Sequence, residues 1–349
     1  MILFAVLSGP GVQMRGQGPR STLHGRFREV RFSRDGKYVL AQDDSGIAVL
    51  TATPLRVLFL IEAQSADPAQ FTPDSRQVVF VSESIHRGLH QLVVRDGLRL
   101  ERWAIADGTR VEYTRIPARA CGTQELSPDG RALACVDQDG TLRLVDVSSG
   151  QTAYEKKNFG RPFVDQNAPF LREYGDVSEA TTQFSPDGRF LVAWPRTLGS
   201  TVSWDLLQRR EVPLAGALAR LRSTFVFIAP DRVLISRSFN KGKTFRAKLV
   251  AFPSGEVVST PKVPPGPLLH AADPRFVLIR PFGQVDYYDP KPGRSAAVEF
   301  RTGQVIITNS YTLDAFGTYY VAERPNGELG LYERGKGLQA SVNLRLGVP

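Results

Sequence analysis

Along this chain, apolar runs of three to five residues alternate with clusters of Gly, Pro, Asp, Asn and Ser. The clearest runs are Tyr38–Ala41, Val78–Val81, Leu133–Val136, Phe190–Ala193, Val233–Ile235, Phe276–Ile279 and Tyr319–Ala322. No segment sustains a helical period, whereas short β-branched and aromatic stretches bounded by turn residues read as strands. Ahead of these runs stands a compact turn: Phe32-Ser33-Arg34-Asp35-Gly36, Phe71-Thr72-Pro73-Asp74-Ser75, Leu126-Ser127-Pro128-Asp129-Gly130 and Phe184-Ser185-Pro186-Asp187-Gly188. Eroded copies follow at Ile228–Arg232, Ala271–Pro274 and Leu313–Gly317. Taking Asp35, Asp74, Asp129, Asp187, Asp231, Asp273 and Asp314 as markers, the steps are 39, 55, 58, 44, 42 and 41 residues. Repeats of that period indicate a propeller or solenoid.

Each unit continues with a third run, such as Ile47–Leu50, Leu142–Val145 or Leu329–Tyr332, and a more polar fourth, such as Arg56–Phe59, Glu211–Leu214 or Ala340–Leu344. Four strands in each of seven units predict an all-β fold: a seven-bladed β-propeller of four-stranded antiparallel blades over residues 21–349. In the turns, Pro presets one dihedral, Asp binds nearby amides and Gly accepts a positive φ, so these residues are read as scaffold. The last blade is expected to close with its own four strands; the other arrangement pairs residues 21–25 at its rim.

Gly140-Thr141-Leu142-Arg143-Leu144-Val145-Asp146-Val147-Ser148-Ser149-Gly150 resembles the third strand and following turn of a WD repeat. Thr201-Val202-Ser203-Trp204-Asp205-Leu206 supplies the literal Trp-Asp pair, and Leu100–Gly108 is similar without the aspartate. The turns also resemble those of bacterial PD-type propellers. The resemblance implies a WD-like propeller that binds other proteins. The Gly-His pair of that family is missing, with Leu23-His24-Gly25 its nearest trace, so the family's Asp-His network is not expected throughout.

The 349 residues carry a formal net charge of +9, with a sequence pI of about 9.7. The 44 Lys and Arg are spread without a dense run, which reads as a solvated surface and gives no specific nucleic-acid signal. Residues 1–20 contain the apolar run Ile2–Leu7 followed by small residues, Gly and Pro: too short for a transmembrane span, and read either as a signal-like leader or as a disordered segment. A leader implies a periplasmic or secreted protein; without one the chain is cytoplasmic. Cys121 and Cys135 lie six residues before Ser127 and five after Gly130. Register decides whether they form a disulfide or stay reduced and buried.

Function is expected where the repeat is broken, because loops on a rigid scaffold carry it. Two steps are long. Ser84–Gly97 is read as a loop before a third strand at Leu98–Ile105, and residues 158–180 as an insertion between blades. Both connections leave an antiparallel blade on the same end, opposite the Asp-containing turns. The candidate partner-binding residues there are Arg87, Arg161, Phe163, Phe170, Arg172, Tyr174, Arg196, Lys241 and Lys243. Arg and aromatic residues suit a protein interface; alternatively, the aromatics, Phe159 among them, pin the long loop to the blades.

Catalytic signatures are missing: the sequence has no HExxH, CxxC, P-loop or GxSxG. His86 and His90 have a spacing that aligns ligands only on a helix. No catalytic residue, cofactor or metal is therefore assigned. The expectation is a non-enzymatic, monomeric scaffold with a protein partner. The alternative is a propeller hydrolase or lactonase with a metal-assisted site at the channel mouth.

Overall fold

The computed structural model describes residue 23 and residues 27–344, apart from 64–67, 88–92, 117–120, 122, 138–139, 161–179, 196–200, 220–223, 240–243, 262, 264–267, 280–294, 301, 309, 311 and 324–326. These residues form seven antiparallel sheets of four strands arranged in a ring, each sheet a simple meander. Blade 1 is β1–β4 (Glu29–Phe32, Tyr38–Gln42, Gly46–Thr51, Arg56–Glu62), and blade 2 is β5–β8 (Gln70–Phe71, Gln77–Arg87, Val93–Ala104, Arg110–Ile116). Blade 3 is β9–β12 (Thr123–Leu126, Ala132–Val136, Leu142–Asp146, Thr152–Lys156). Blade 4 is β13–β16 (Ala180–Phe184, Phe190–Pro195, Val202–Asp205, Arg210–Glu211), and blade 5 is β17–β20 (Thr224–Ala229, Arg232–Phe239, Thr244–Ala251, Val257–Ser259). Blade 6 is β21–β24 (Leu268–His270, Phe276–Ile279, Ser295–Glu299, Val305–Thr308), and blade 7 is β25–β28 (Leu313–Phe316, Tyr319–Glu323, Leu329–Glu333, Gly337–Val342).

The second strands read as continuous apolar runs because both their faces are buried between blades. Val78 and Phe80 pack with Leu40, Ile47 and Val49 between blades 1 and 2. Val79 and Val81 turn the other way, towards Leu133, Cys135 and Val145 of blade 3. Alternate side chains thus serve successive interfaces. Burying each such side chain stabilises the ring by roughly 1.5–3 kcal/mol.

The ring closes by the same packing. Val30, Phe32, Val39, Ala48 and Leu50 of blade 1 join Val321, Leu329, Leu331 and Leu344 across the seam. Among the described residues, blade 7 is built from β25–β28 alone. One contact of the other arrangement, in which residues 21–25 meet the rim of the last blade, is also present: Leu23 N–H donates to the Leu344 carbonyl at 3.2 Å.

Three local expectations need correction. Ser84–Gly97 is not a loop along its whole length, because β6 and β7 continue as paired arms through Ile85–Arg95, His86–Val94 and Arg87–Val93, with residues 88–92 between them outside the described residues. Blade 5 does the same with Ser238–Phe245 and Phe239–Thr244. Asp314 is not a turn residue but sits within β25; the blade 7 turn is shortened to Gly317 and Thr318 between β25 and β26. Register resolves the cysteines as well. Cys135 stands opposite Gln124, while Cys121 precedes β9 and is bridged to Cys135 with a Cα–Cα distance of 5.4 Å. Closing a loop of this size stabilises by about 3 kcal/mol on the chain-entropy view.

Candidate functional site

The two ends of the ring are built differently. On the turn face, each Ser or Thr hydroxyl donates to the Asp two residues on: Ser33 to Asp35 at 2.7 Å, Thr72 to Asp74 at 2.7 Å, Ser127 to Asp129 at 2.7 Å and Ser185 to Asp187 at 2.5 Å. The same hydroxyl accepts the amide that starts the second strand, as from Tyr38 at 3.0 Å and Phe190 at 2.9 Å. The Thr72 hydroxyl holds Asp74 below the ordinary carboxylate range. Asp205 of the Trp-Asp pair works alike, accepting the Leu207 and Gln208 amides at 2.9 Å each and pairing with Arg189 at 2.9 Å. These connections are short and use their own polar groups internally.

The central channel is lined by the first strands, whose inner edges would otherwise leave backbone groups unpaired. Side chains stitch one blade to the next instead. Gln70 Nε2 donates to the Leu126 and Ser127 carbonyls at 3.0 and 2.9 Å. Glu125 Oε1 accepts Phe184 N–H at 3.2 Å, and Gln183 Oε1 accepts Phe227 N–H at 3.1 Å. Asp314 accepts Phe32 N–H at 2.7 Å and Ala272 N–H at 3.3 Å, spanning blades 1, 7 and 6. Arg31 pairs with Glu29 at 2.8 Å, and Arg34 reaches across the turn face to the Pro186 carbonyl of blade 4.

This network was missed in the sequence, although a signal was present. The fourth residue before the turn aspartate is Arg31, Gln70, Glu125 and Gln183 in the first four blades, polar each time and directly before a Phe or Leu. Burial raises Asp314 to about 7, opposed by backbone donors and by the Arg31 charge. Burial also raises Glu125, and it lowers His270 together with the positive charges of Arg31 and Arg34. Among the described residues, no three His, Cys, Asp or Glu side chains converge as a metal site. A narrow crevice at the other end of the channel lies between Glu29, Leu269, Leu278, Ser295 and Thr312.

That end, the loop face, receives the strand ends flanking every candidate residue. Arg87 is the last residue of β6. Arg161, Phe163, Phe170, Arg172, Tyr174, Arg196, Lys241 and Lys243 lie outside the described residues. Lys156 ends β12 and Ala180 opens β13, Pro195 ends β14 and Val202 opens β15, and Phe239 ends β18 and Thr244 opens β19. Phe159 follows the pinning alternative. It is 5% exposed and packs with Val136, Leu142, Ala193 and Val202 between blades 3 and 4. Beside it, Gly160 N–H donates to the Gly140 carbonyl at 2.9 Å, and a Cβ on Gly140 would lie 2.0 Å from the Gly160 carbonyl oxygen. The long insertion therefore leaves the ring from a fixed point.

No protein-family model matches the chain, and no curated protein matches it in sequence.

Proposed function

We propose that this chain is a non-enzymatic, WD-like interaction propeller that binds a protein partner through its loop face. The asymmetry between the two ends carries the reading. Tight turns that bind their own polar groups occupy one end, while both extended hairpins and the connection across residues 157–179 belong to the other. A rigid ring that gathers its long connections on one rim presents a broad recognition surface at little ordering cost.

The test is affinity capture from an extract of the source organism with the intact chain and with a variant whose residues 158–180 are replaced by a short Gly-Ser link. Unchanged β-sheet circular dichroism and melting must first show that the variant folds. The expected result is a partner retained by the intact chain and lost by the variant. Identical partners on both would overturn the loop-face reading. Ca²⁺-dependent turnover of lactones or esters would mark a channel-mouth hydrolase instead.

A further inference from the structure

Between Val212 and Ala272 the acidic residues are Asp231 and Glu256 alone. Both sit at the turn face, Asp231 between β17 and β18 and Glu256 between β19 and β20, and Asp231 pairs with Arg232 at 3.5 Å. The same stretch carries nine Lys and Arg. Nine less two leaves seven of the chain's net +9 in blade 5 and its flanks.

The fold gathers cations that the sequence spaces apart. β18 and β19 pair for three steps past Thr224–Ser236, where β17 stops, through Arg237–Arg246, Ser238–Phe245 and Phe239–Thr244. β20 reaches only to Leu249, so Thr244–Lys248 is an edge with no outer strand beside it among the described residues. The result is a two-stranded arm at the loop face. Its register sets Arg237 directly opposite Arg246, and like charges in that position weaken a strand pair unless an anion answers them. Lys248 follows two residues after Arg246, on the same face of the ribbon. It is exposed, and no carboxylate pairs with it among the described residues.

The other extended hairpin is built differently. Gln77–Ala104 of blade 2 holds four Arg, but Glu83, Asp96 and Glu101 come close to balancing them. On blade 5 the carboxylates nearest in sequence lie at the far end of the blade. An anionic partner is therefore complementary to this arm. A protein segment answers it more fully than a phosphate backbone or a lipid headgroup does. Its Asp and Glu meet the cations, and its N–H and C=O groups pair with the open edge at Thr244–Lys248, whereas phosphates offer acceptors alone. Arg alongside Phe239 and Phe245 is also the composition of a protein interface.

We propose that the β18–β19 arm, through Arg237, Arg246 and Lys248, docks an extended acidic segment of the protein partner. This rests on the loop-face reading and names the partner's chemistry there.

Fluorescence anisotropy tests it with the full chain and a fluorescein-labelled peptide alternating Glu and Thr. Saturable binding is expected, weakened at least about tenfold in Arg237→Ser/Arg246→Ser. Lys37→Ser/Arg131→Ser removes the same two charges from exposed turn-face positions and should bind as the intact chain does, which separates the arm from net charge. Circular dichroism reports whether both variants fold. The peptide with Gln in place of Glu, a short DNA duplex and phosphatidylserine vesicles should each bind the intact chain at least about tenfold more weakly. No binding by the Glu-Thr peptide, no loss in the arm variant, or an equal loss in the turn-face variant would overturn the proposal. Tighter binding of the duplex or the vesicles would overturn it too, by assigning the arm to a phosphate-bearing partner. These ligand comparisons use the intact chain and hold even if the arm variant does not fold. Affinity capture separates the two readings. A partner lost by the 158–180 replacement but kept by the arm variant would overturn the arm and leave the loop face standing, and partners unchanged in both would overturn the loop face itself.

Discussion

Asp314 is wholly buried, yet its carboxylate accepts amides from two neighbouring blades and, at 2.8 Å, that of Ala315 on its own strand. Burial raises its folded-state pKa to about 7, so the native ring holds a proton that the unfolded chain has released above the ordinary aspartate range. The sign follows by linkage: this contribution to stability is complete at acid pH and is lost as pH rises from about 4 through 7. His270 acts oppositely. Burial and Arg31 with Arg34 lower its pKa, so its contribution is lost as pH falls below the ordinary histidine range. In Asp314→Asn the first of these slopes disappears. Asn offers one accepting oxygen and an NH₂ group that meets a backbone N–H, so the variant is less stable at pH 5. Thermal unfolding should show its deficit shrinking towards pH 8, by about 2 kcal/mol. A deficit independent of pH would mean that Asp314 is ionised throughout.

At the scale of single elements, the hairpin turns show what letters in a row can and cannot convey. Turns at Gly36, Gly130 and Gly188 place glycine at φ of 71°, 68° and 74°. The second blade has Ser75 at the same place with φ 57°, and its buried hydroxyl has no hydrogen-bond partner among the described residues. Ser75→Gly removes left-handed strain worth about 1–2 kcal/mol, partly offset by a freer unfolded chain. The variant should gain about 1 kcal/mol in denaturant unfolding, and Ser75→Ala should not match it. No gain would show that the turn carries no strain. The same turns made blade number legible, because Ser, Pro, Asp and Gly have fixed mechanical roles there. Asp314 was misplaced because blade 7 shortens its turn, leaving the nearest aspartate inside a strand. The channel stitching stayed hidden for a related reason: a polar residue in a strand reads alike whether it meets solvent or a neighbouring blade. The hairpin arms were misread because their length depends on pairing between residues that single-strand patterns do not report.

For the molecule as a whole, the seam between blades 1 and 7 uses the same means as the other interfaces: an apolar cluster and a side chain accepting a neighbour's amide. Leu23 and Leu344 are already joined there by a backbone hydrogen bond. Blade order along the chain is therefore not something the ring itself stores, since each interface is local and the two sides of the seam meet. A circular permutant follows, with residue 344 linked to residue 23 by a few Gly and Ser and new termini opened between β20 and β21. It should give the same β-sheet circular dichroism and melt within a few degrees of the parent. A permutant that failed to fold would show that blade 1 must form before blade 7, making the ring's assembly directional although its architecture is not.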